Sequence, residues 1–216
     1  MIRYCIFDVL GTLFPWKESF RFLHLFNSLG LESKLPEGEL RQLFHTRIGE
    51  IFRSEEEFES FILEAYRVDK KDVQKVVRRF DDILLSEAEP HPKAETILEE
   101  LSKSYSLLAC SDTTGSTKRM LEKAGLRKYF KKEFYSNEHH LTKSDGLYSF
   151  ILQIYQPARP WEFVSIGDSA SDIVIPKKLG MRTIWVRNES LGHPQVEPDI
   201  AVDDLGEVAR AVRNLE

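Results

Sequence analysis

Ile2-Arg3-Tyr4-Cys5-Ile6-Phe7-Asp8-Val9-Leu10-Gly11-Thr12-Leu13 is an apolar run that delivers one carboxylate, Asp8, into a turn containing a glycine. A buried strand that ends in an acid and a glycine turn places that acid at the carboxyl edge of a parallel sheet, where open α/β folds bind their ligands. The design recurs about 160 residues later as Gly167-Asp168-Ser169-Ala170-Ser171-Asp172, behind the apolar strand Phe163 to Ile166. Two such edges predict a cluster of carboxylates. Leu10 is the anomaly, because a turn that looks built for two acids carries one.

Outward from these edges, the bulk of the chain narrows the class of protein. Its 216 residues can form one α/β domain with an insertion, and they suffice to bury a real core. A hydrophobic content of 42%, a charged content of 30% and a net charge of −5 are those of a globular protein that binds small molecules, and they argue against a nucleic-acid or anionic-membrane surface. No apolar stretch approaches the roughly 18 residues of a membrane span, and the first residues run straight into a strand with no signal pattern, so a cytoplasmic location is expected. Cys5 and Cys110 lie inside apolar runs and read as buried free thiols.

Lys17 to Ser86 contains no convincing strand. Its apolar residues recur at helical spacing, as in Phe22, Leu25, Phe26 and Leu29, which predicts about four helices in a small bundle. The stretch Glu87-Ala88-Glu89-Pro90-His91-Pro92 closes this insertion and reads as a hinge. From Pro92 onward helix and strand alternate: helix 93–103, strand 106–110, helix 116–124, a short strand near Phe134, helix 146–155, strand 163–166, helix 173–179, strand 183–186 and helix 205–215. Such alternation means a parallel sheet with helices on both faces. The expected organisation is therefore a catalytic core of residues 1–13 and 88–216, with residues 14–87 as an inserted α-helical unit.

Four segments converge if each lies just after a strand: Asp8 to Thr12, Ser111 with Asp112, Lys143, and Gly167 to Asp172. In these the chain resembles the haloacid dehalogenase superfamily. Its first motif corresponds to Asp8-Val9-Leu10-Gly11-Thr12, its second to a Ser or Thr closing an apolar strand (Ser111), its third to a lysine before a helix (Lys143), and its fourth to the acidic Gly167-Asp168-x-x-x-Asp172. The resemblance spans the whole chain and implies a Rossmann-like core with a helical cap after the first motif. It also implies Asp8 as nucleophile, Lys143 and Ser111 in the catalytic set, Thr12, Ser111 and Asp112 at the substrate, and Mg²⁺ held by Asp8, the Leu10 carbonyl and Asp168, with Asp172 as a further ligand or one step removed.

The chemistry is coherent in its own terms. A carboxylate can attack phosphorus only if the repulsion between two anions is neutralised, which calls for a divalent cation with hard oxygen ligands and a fixed ammonium. Each residue also has a plainer role open to it. Asp8 and Asp112 can serve as turn residues, Thr12 can brace its turn, Ser111 can simply end its strand, Lys143 can be a solvated loop lysine with Lys131 or Lys132 in its place, and Asp172 can cap the helix it precedes. His139 and His140 invite a metal reading, but adjacent side chains diverge on an extended segment and a solvated loop is the expectation.

In phosphatases of the resembled superfamily the position of Leu10 holds an Asp that protonates the leaving oxygen and then activates water. Leucine does neither, a loss of about 10²–10⁴-fold. Three functions stay open. The first is a Mg²⁺-dependent phosphohydrolase or phosphotransferase acting on a small phosphorylated metabolite through an Asp8 aspartyl intermediate, on a substrate whose leaving group needs little protonation or with an acid from the substrate or the cap, where His24, His45, Lys17 and Lys34 are candidates. The second is a haloacid dehalogenase with a substrate-carboxylate arginine such as Arg41 or Arg47. The third is a weakened ligand-binding or scaffold member. Trp16 either lines the cleft or braces the cap, and an exposed helical face of the cap makes a homodimer one expected assembly.

Overall fold

A computed structural model describes residues 1–15, 22–188 and 191–216, so the expectations for Trp16 and Lys17 lie outside the described residues. Six parallel strands, β1 (Tyr4–Phe7), β2 (Ser106–Ser111), β3 (Phe130–Tyr135), β4 (Phe163–Gly167), β5 (Arg182–Val186) and β6 (Ile200–Val202), form one sheet in the order β3-β2-β1-β4-β5-β6. β1 is central because its apolar residues need cover on every side. Cys5, Ile6 and Phe7 are fully buried, and the strand pairs with β2 from Tyr4 opposite Ser106 and with β4 from Tyr4 opposite Phe163. The strand order reverses between β1 and β4, and open α/β sheets bind ligands at such a reversal. Asp8 and Asp168 follow those two strands directly.

Among the described residues, four helices make up the insertion after β1: α1 (Phe22–Ser28), α2 (Glu37–Ile51), α3 (Glu55–Ala65) and α4 (Val73–Glu87). They hold together through aromatic packing, with Phe26 stacked on Tyr66 and Phe80 at centroid distances of 4.8 and 5.2 Å, and Phe58 beside Phe80 at 5.1 Å. The two chain segments that join this insertion to the sheet are clamped together where His91 N–H donates to the Leu13 carbonyl at 2.8 Å. The remaining helices are α5 (Ala94–Ser102), α6 (Ser116–Lys123), α7 (Ser136–His139), α8 (Leu147–Ile154), α9 (Ala170–Lys178) and α10 (Val208–Asn214). α4 packs along α6, where Asp81 accepts a short hydrogen bond from the Thr114 hydroxyl and Lys123 donates to the Leu85 carbonyl at 2.9 Å.

Cys5 and Cys110 are buried free thiols, as expected. Three expectations need adjustment. β6 is an additional strand, Ser136–His139 forms the short helix α7 in place of an extended loop, and α9 begins at Ala170 rather than Ile173 because Asp172 accepts hydrogen bonds from the Ser169 amide at 3.2 Å and the Ser169 hydroxyl at 2.5 Å, closing the first turn early. Among the described residues, no helix is long and apolar enough to cross a membrane.

Candidate active site

The turn after β1 is held by two backbone bonds, Phe14 N–H to the Val9 carbonyl at 2.9 Å and Gly11 N–H to the Phe14 carbonyl at 2.7 Å. Gly11 adopts φ 105°, a region that disfavours any side chain, so the glycine is required for the chain to reverse here. The result leaves Asp8 and Thr12 buried on one side of the turn, while Leu10 is half-buried and packs against the apolar core. The Thr12 hydroxyl lies between two acids, 3.4 Å from Asp8 Oδ2 and 3.5 Å from Asp168 Oδ1.

Lys143 occupies a 3-10 turn, Lys143–Asp145, that leads into α8, and only 4% of it is exposed. Its ammonium donates to Asp8 Oδ1 at 2.5 Å and to Asp172 Oδ1 at 2.7 Å. Lys143 is therefore not a solvated loop residue, and Lys131 and Lys132 are exposed on β3. Burial alone would lower the Lys143 pKa, but Asp172 and Asp8 carry it well above the ordinary lysine range. Burial also pushes the Asp8 carboxyl well above the usual range; Lys143 opposes that shift, and the nearby Asp172 and Asp168 reinforce it. Removing one member of such a group is costly, because it strands buried charge.

Asp172 has both oxygens committed. Oδ1 receives Lys143 and the Tyr148 hydroxyl, the latter at 3.0 Å, while Oδ2 receives the Ser169 amide and hydroxyl. It is both a helix cap and the anchor that aims Lys143. Asp168 is held by the Asn188 side-chain amide at 2.7 Å, and its main-chain carbonyl accepts Trp185 Nε1–H at 3.0 Å. Burial raises the Asp168 pKa to about 6, Asp172 adds to the shift, and the Asn188 hydrogen bond and Lys143 oppose it. Ser111 is buried at the end of β2, and Asp112 beside it accepts the Lys143 backbone N–H at 2.9 Å, so this acid fixes the lysine's main chain.

One carboxylate oxygen from each of Asp8, Asp168 and Asp172 lies within 4.8 Å of the other two. All-oxygen donors at this spacing suit a hard divalent cation such as Mg²⁺. Among the described residues this is the one such cluster, and the histidine pair is not part of it. His139 instead packs against the Phe134 and Phe150 rings, at centroid distances of 5.8 and 4.9 Å, and His140 is exposed with a left-handed backbone.

The described residues of the insertion weighed for substrate chemistry have other partners or are exposed. Arg47 is surrounded by Glu50, Glu57 and Glu64, Arg41 pairs with Glu37, Lys34 donates to the Leu63 carbonyl, and His24 and His45 are exposed. Residues missed in the sequence are Tyr148, Asn188 and Ser165, whose hydroxyl lies 3.0 Å from that of Tyr148. Asn188 had a readable signal: like Asp8 and Asp168, it follows the carboxyl end of a strand. Tyr148 had a weaker one, as the second residue of the helix behind Lys143.

The haloacid dehalogenase-like hydrolase family model matches residues 5–186. Among curated proteins none matches. Similar solved structures include CbbY from Rhodobacter sphaeroides in complex with phosphate, at 21% identity, TM-score 0.69 and 96% of each chain covered. YfnB from Bacillus subtilis bound to magnesium is 18% identical, with TM-score 0.67 and 98% of each chain covered. The 2-haloacid dehalogenase from Pseudomonas syringae pv. Tomato DC3000 is 18% identical, with TM-score 0.68 and both chains fully covered. These likenesses concern the fold, which hosts both phosphatases and dehalogenases.

Proposed function

Because this chain belongs to the haloacid dehalogenase-like hydrolases, we propose that it is a Mg²⁺-dependent phosphohydrolase or phosphotransferase for a small phosphorylated metabolite, with the helical insertion acting as a cap over the site. The observation that carries this reading is the clustering of Asp168 with Asp8 and Asp172, the last two of which share one ammonium. Displacement of a halide has no need of a second metal-binding carboxylate, and the two arginines weighed for a haloacid substrate are matched by glutamates.

In this reading Asp8 and Asp168, with the Leu10 carbonyl, would hold the cation, which would neutralise phosphate charge and polarise the phosphorus. One carboxylate oxygen of Asp8 forms a bond to phosphorus, and the substrate's P–O bond breaks with its electron pair leaving on oxygen. Lys143 offsets the charge accumulating between Asp8 and the transferring group, while the Thr12 and Ser111 hydroxyls donate to phosphoryl oxygens. Asp172 and Asp112 keep Lys143 in place from side chain and backbone. Water, or an acceptor hydroxyl, then takes the phosphoryl group and returns Asp8 to its carboxylate.

Leu10 bears on both proton transfers. With no carboxyl there, the leaving oxygen must be a weak base or bring its own proton, and the acyl phosphate on Asp8 clears slowly. An activated aryl phosphate assayed with Mg²⁺ and with chelator tests the reading, and Mg²⁺-dependent product is expected. Its absence, together with metal-independent halide release from 2-chloropropionate, would replace this reading with dehalogenation. In Leu10→Asp, burst kinetics should show the slow phase accelerated by about 10²-fold or more.

A further inference from the structure

Arg53 lies in the turn between α2 and α3, and its guanidinium reaches from the insertion to the sheet edge. Nη2 is 2.6 Å from Asp145 Oδ2. Nearby on the same segment, the Gly49 carbonyl accepts the Thr142 hydroxyl at 3.0 Å. That carbonyl is among the last four of α2 and has no partner within the helix. Thr142 and Asp145 flank Lys143 in sequence. Two bonds from the insertion therefore grip the short turn that carries the buried ammonium. The sheet side supplies a third, in which the Lys143 amide donates to Asp112.

We infer that Arg53–Asp145 and Thr142–Gly49 form a latch through which the position of the insertion sets the position of Lys143. With the latch shut, the turn is held from both sides and the ammonium rests against Asp8 and Asp172. With it parted, as when the insertion swings away for ligand exchange, the turn keeps only its sheet-side bonds, the amide to Asp112 and the ammonium to Asp8 and Asp172. Arg53 is a positioning residue that acts through Asp145. The latch does not depend on which bond the site cleaves.

The partners are partly exposed, with 36% and 56% of their side chains accessible, so the ion pair by itself contributes modestly. Its effect is local. Backbone hydrogen exchange, followed by mass spectrometry on the full chain without substrate, reads it directly. Arg53→Met and Asp145→Ala should each speed exchange over residues 142–147 by about three- to fivefold while β1 and β4 stay unchanged. The double variant should be no faster than either single, and the swapped pair Arg53→Asp with Asp145→Arg should restore protection. Unmoved exchange in folded single variants, or a double variant that compounds the two effects, overturns the latch.

Turnover of the aryl phosphate gives a second readout. Both single variants should lower kcat with KM little changed. A raised KM in Arg53→Met with Asp145→Ala silent would show the guanidinium contacting substrate directly, and the latch would be discarded. Since exchange needs no turnover, failure of the phosphohydrolase reading leaves this test intact.

Discussion

Without its ammonium, the buried pair Asp8 and Asp172 would face each other with no cation between them. Lys143→Met should therefore remove about 3–5 kcal/mol of folding stability at neutral pH, together with activity. The sign with pH follows from Asp8, whose folded pKa lies above its unfolded one because of burial. Folded molecules then hold the proton more tightly, so stability is retained in acid and lost as pH rises. Urea unfolding of this variant at about pH 5 and about pH 8 should show the larger deficit at the higher value. Tyr148→Phe is milder: it deletes the hydroxyl that meets Asp172 and Ser165, for about 1–2 kcal/mol, and should lower kcat more than it raises KM.

Strand ends and helix starts set how closely these groups can approach. At the end of β4, a Cβ added to Gly167 would lie 2.5 Å from Cβ and Oδ2 of Asp172. Either the strand or the first turn of α9 must then move, and Asp172 with it. Gly167→Ala is expected to cost about 1–3 kcal/mol by thermal denaturation and to impair turnover, since displacing Asp172 displaces Lys143. Much of this geometry was legible in the sequence. Asp8, Ser111, Asp168 and the glycine turns announce strand ends through apolar runs that stop at a polar residue, and Lys143 is conspicuous at the start of a helix. What stayed hidden depends on contacts between distant elements. Nothing in Ile200–Val202 separates a three-residue edge strand from a loop until β5 lies beside it. Likewise Tyr148 looks like any apolar-face residue of α8, and Arg53 like any surface arginine, until β4 and the Lys143 turn supply their partners.

For the molecule as a whole, the seam between insertion and sheet domain is chemically uneven. On one side Arg53 and Gly49 meet the Lys143 turn. On the other, α4 lies along α6, with Asp82 paired to Arg119 at 3.3 Å and Asp81 bonded to Thr114. Burial raises the Asp81 pKa to about 6; the Thr114 hydrogen bond and Arg119 oppose the shift, and Asp82 and Glu55 add to it. A folded pKa above the unfolded value means that this group's contribution is fully present below about pH 4 and lost as pH rises through about 6. Asp81→Asn keeps an acceptor for Thr114 while removing the titration. It should flatten the stability profile across that window and raise the unfolding midpoint at neutral pH, as read by denaturant titrations at a series of pH values.

The central place of β1 has a consequence for how the molecule is made. The strand carrying Asp8 leaves the ribosome before either of its sheet neighbours, which begin at Ser106 and Phe163. At roughly 5–20 residues per second, a fully apolar strand waits about 5–20 s for its first partner and longer for its second. During that interval the four-helix insertion, complete by Glu87 with an aromatic interior of its own, is what can fold. Biogenesis therefore runs opposite to the order of the text. Asp8 is synthesised well before the strands that enclose it, and a nascent chain stalled before β4 should display β1 to chaperones and proteases with its insertion already structured.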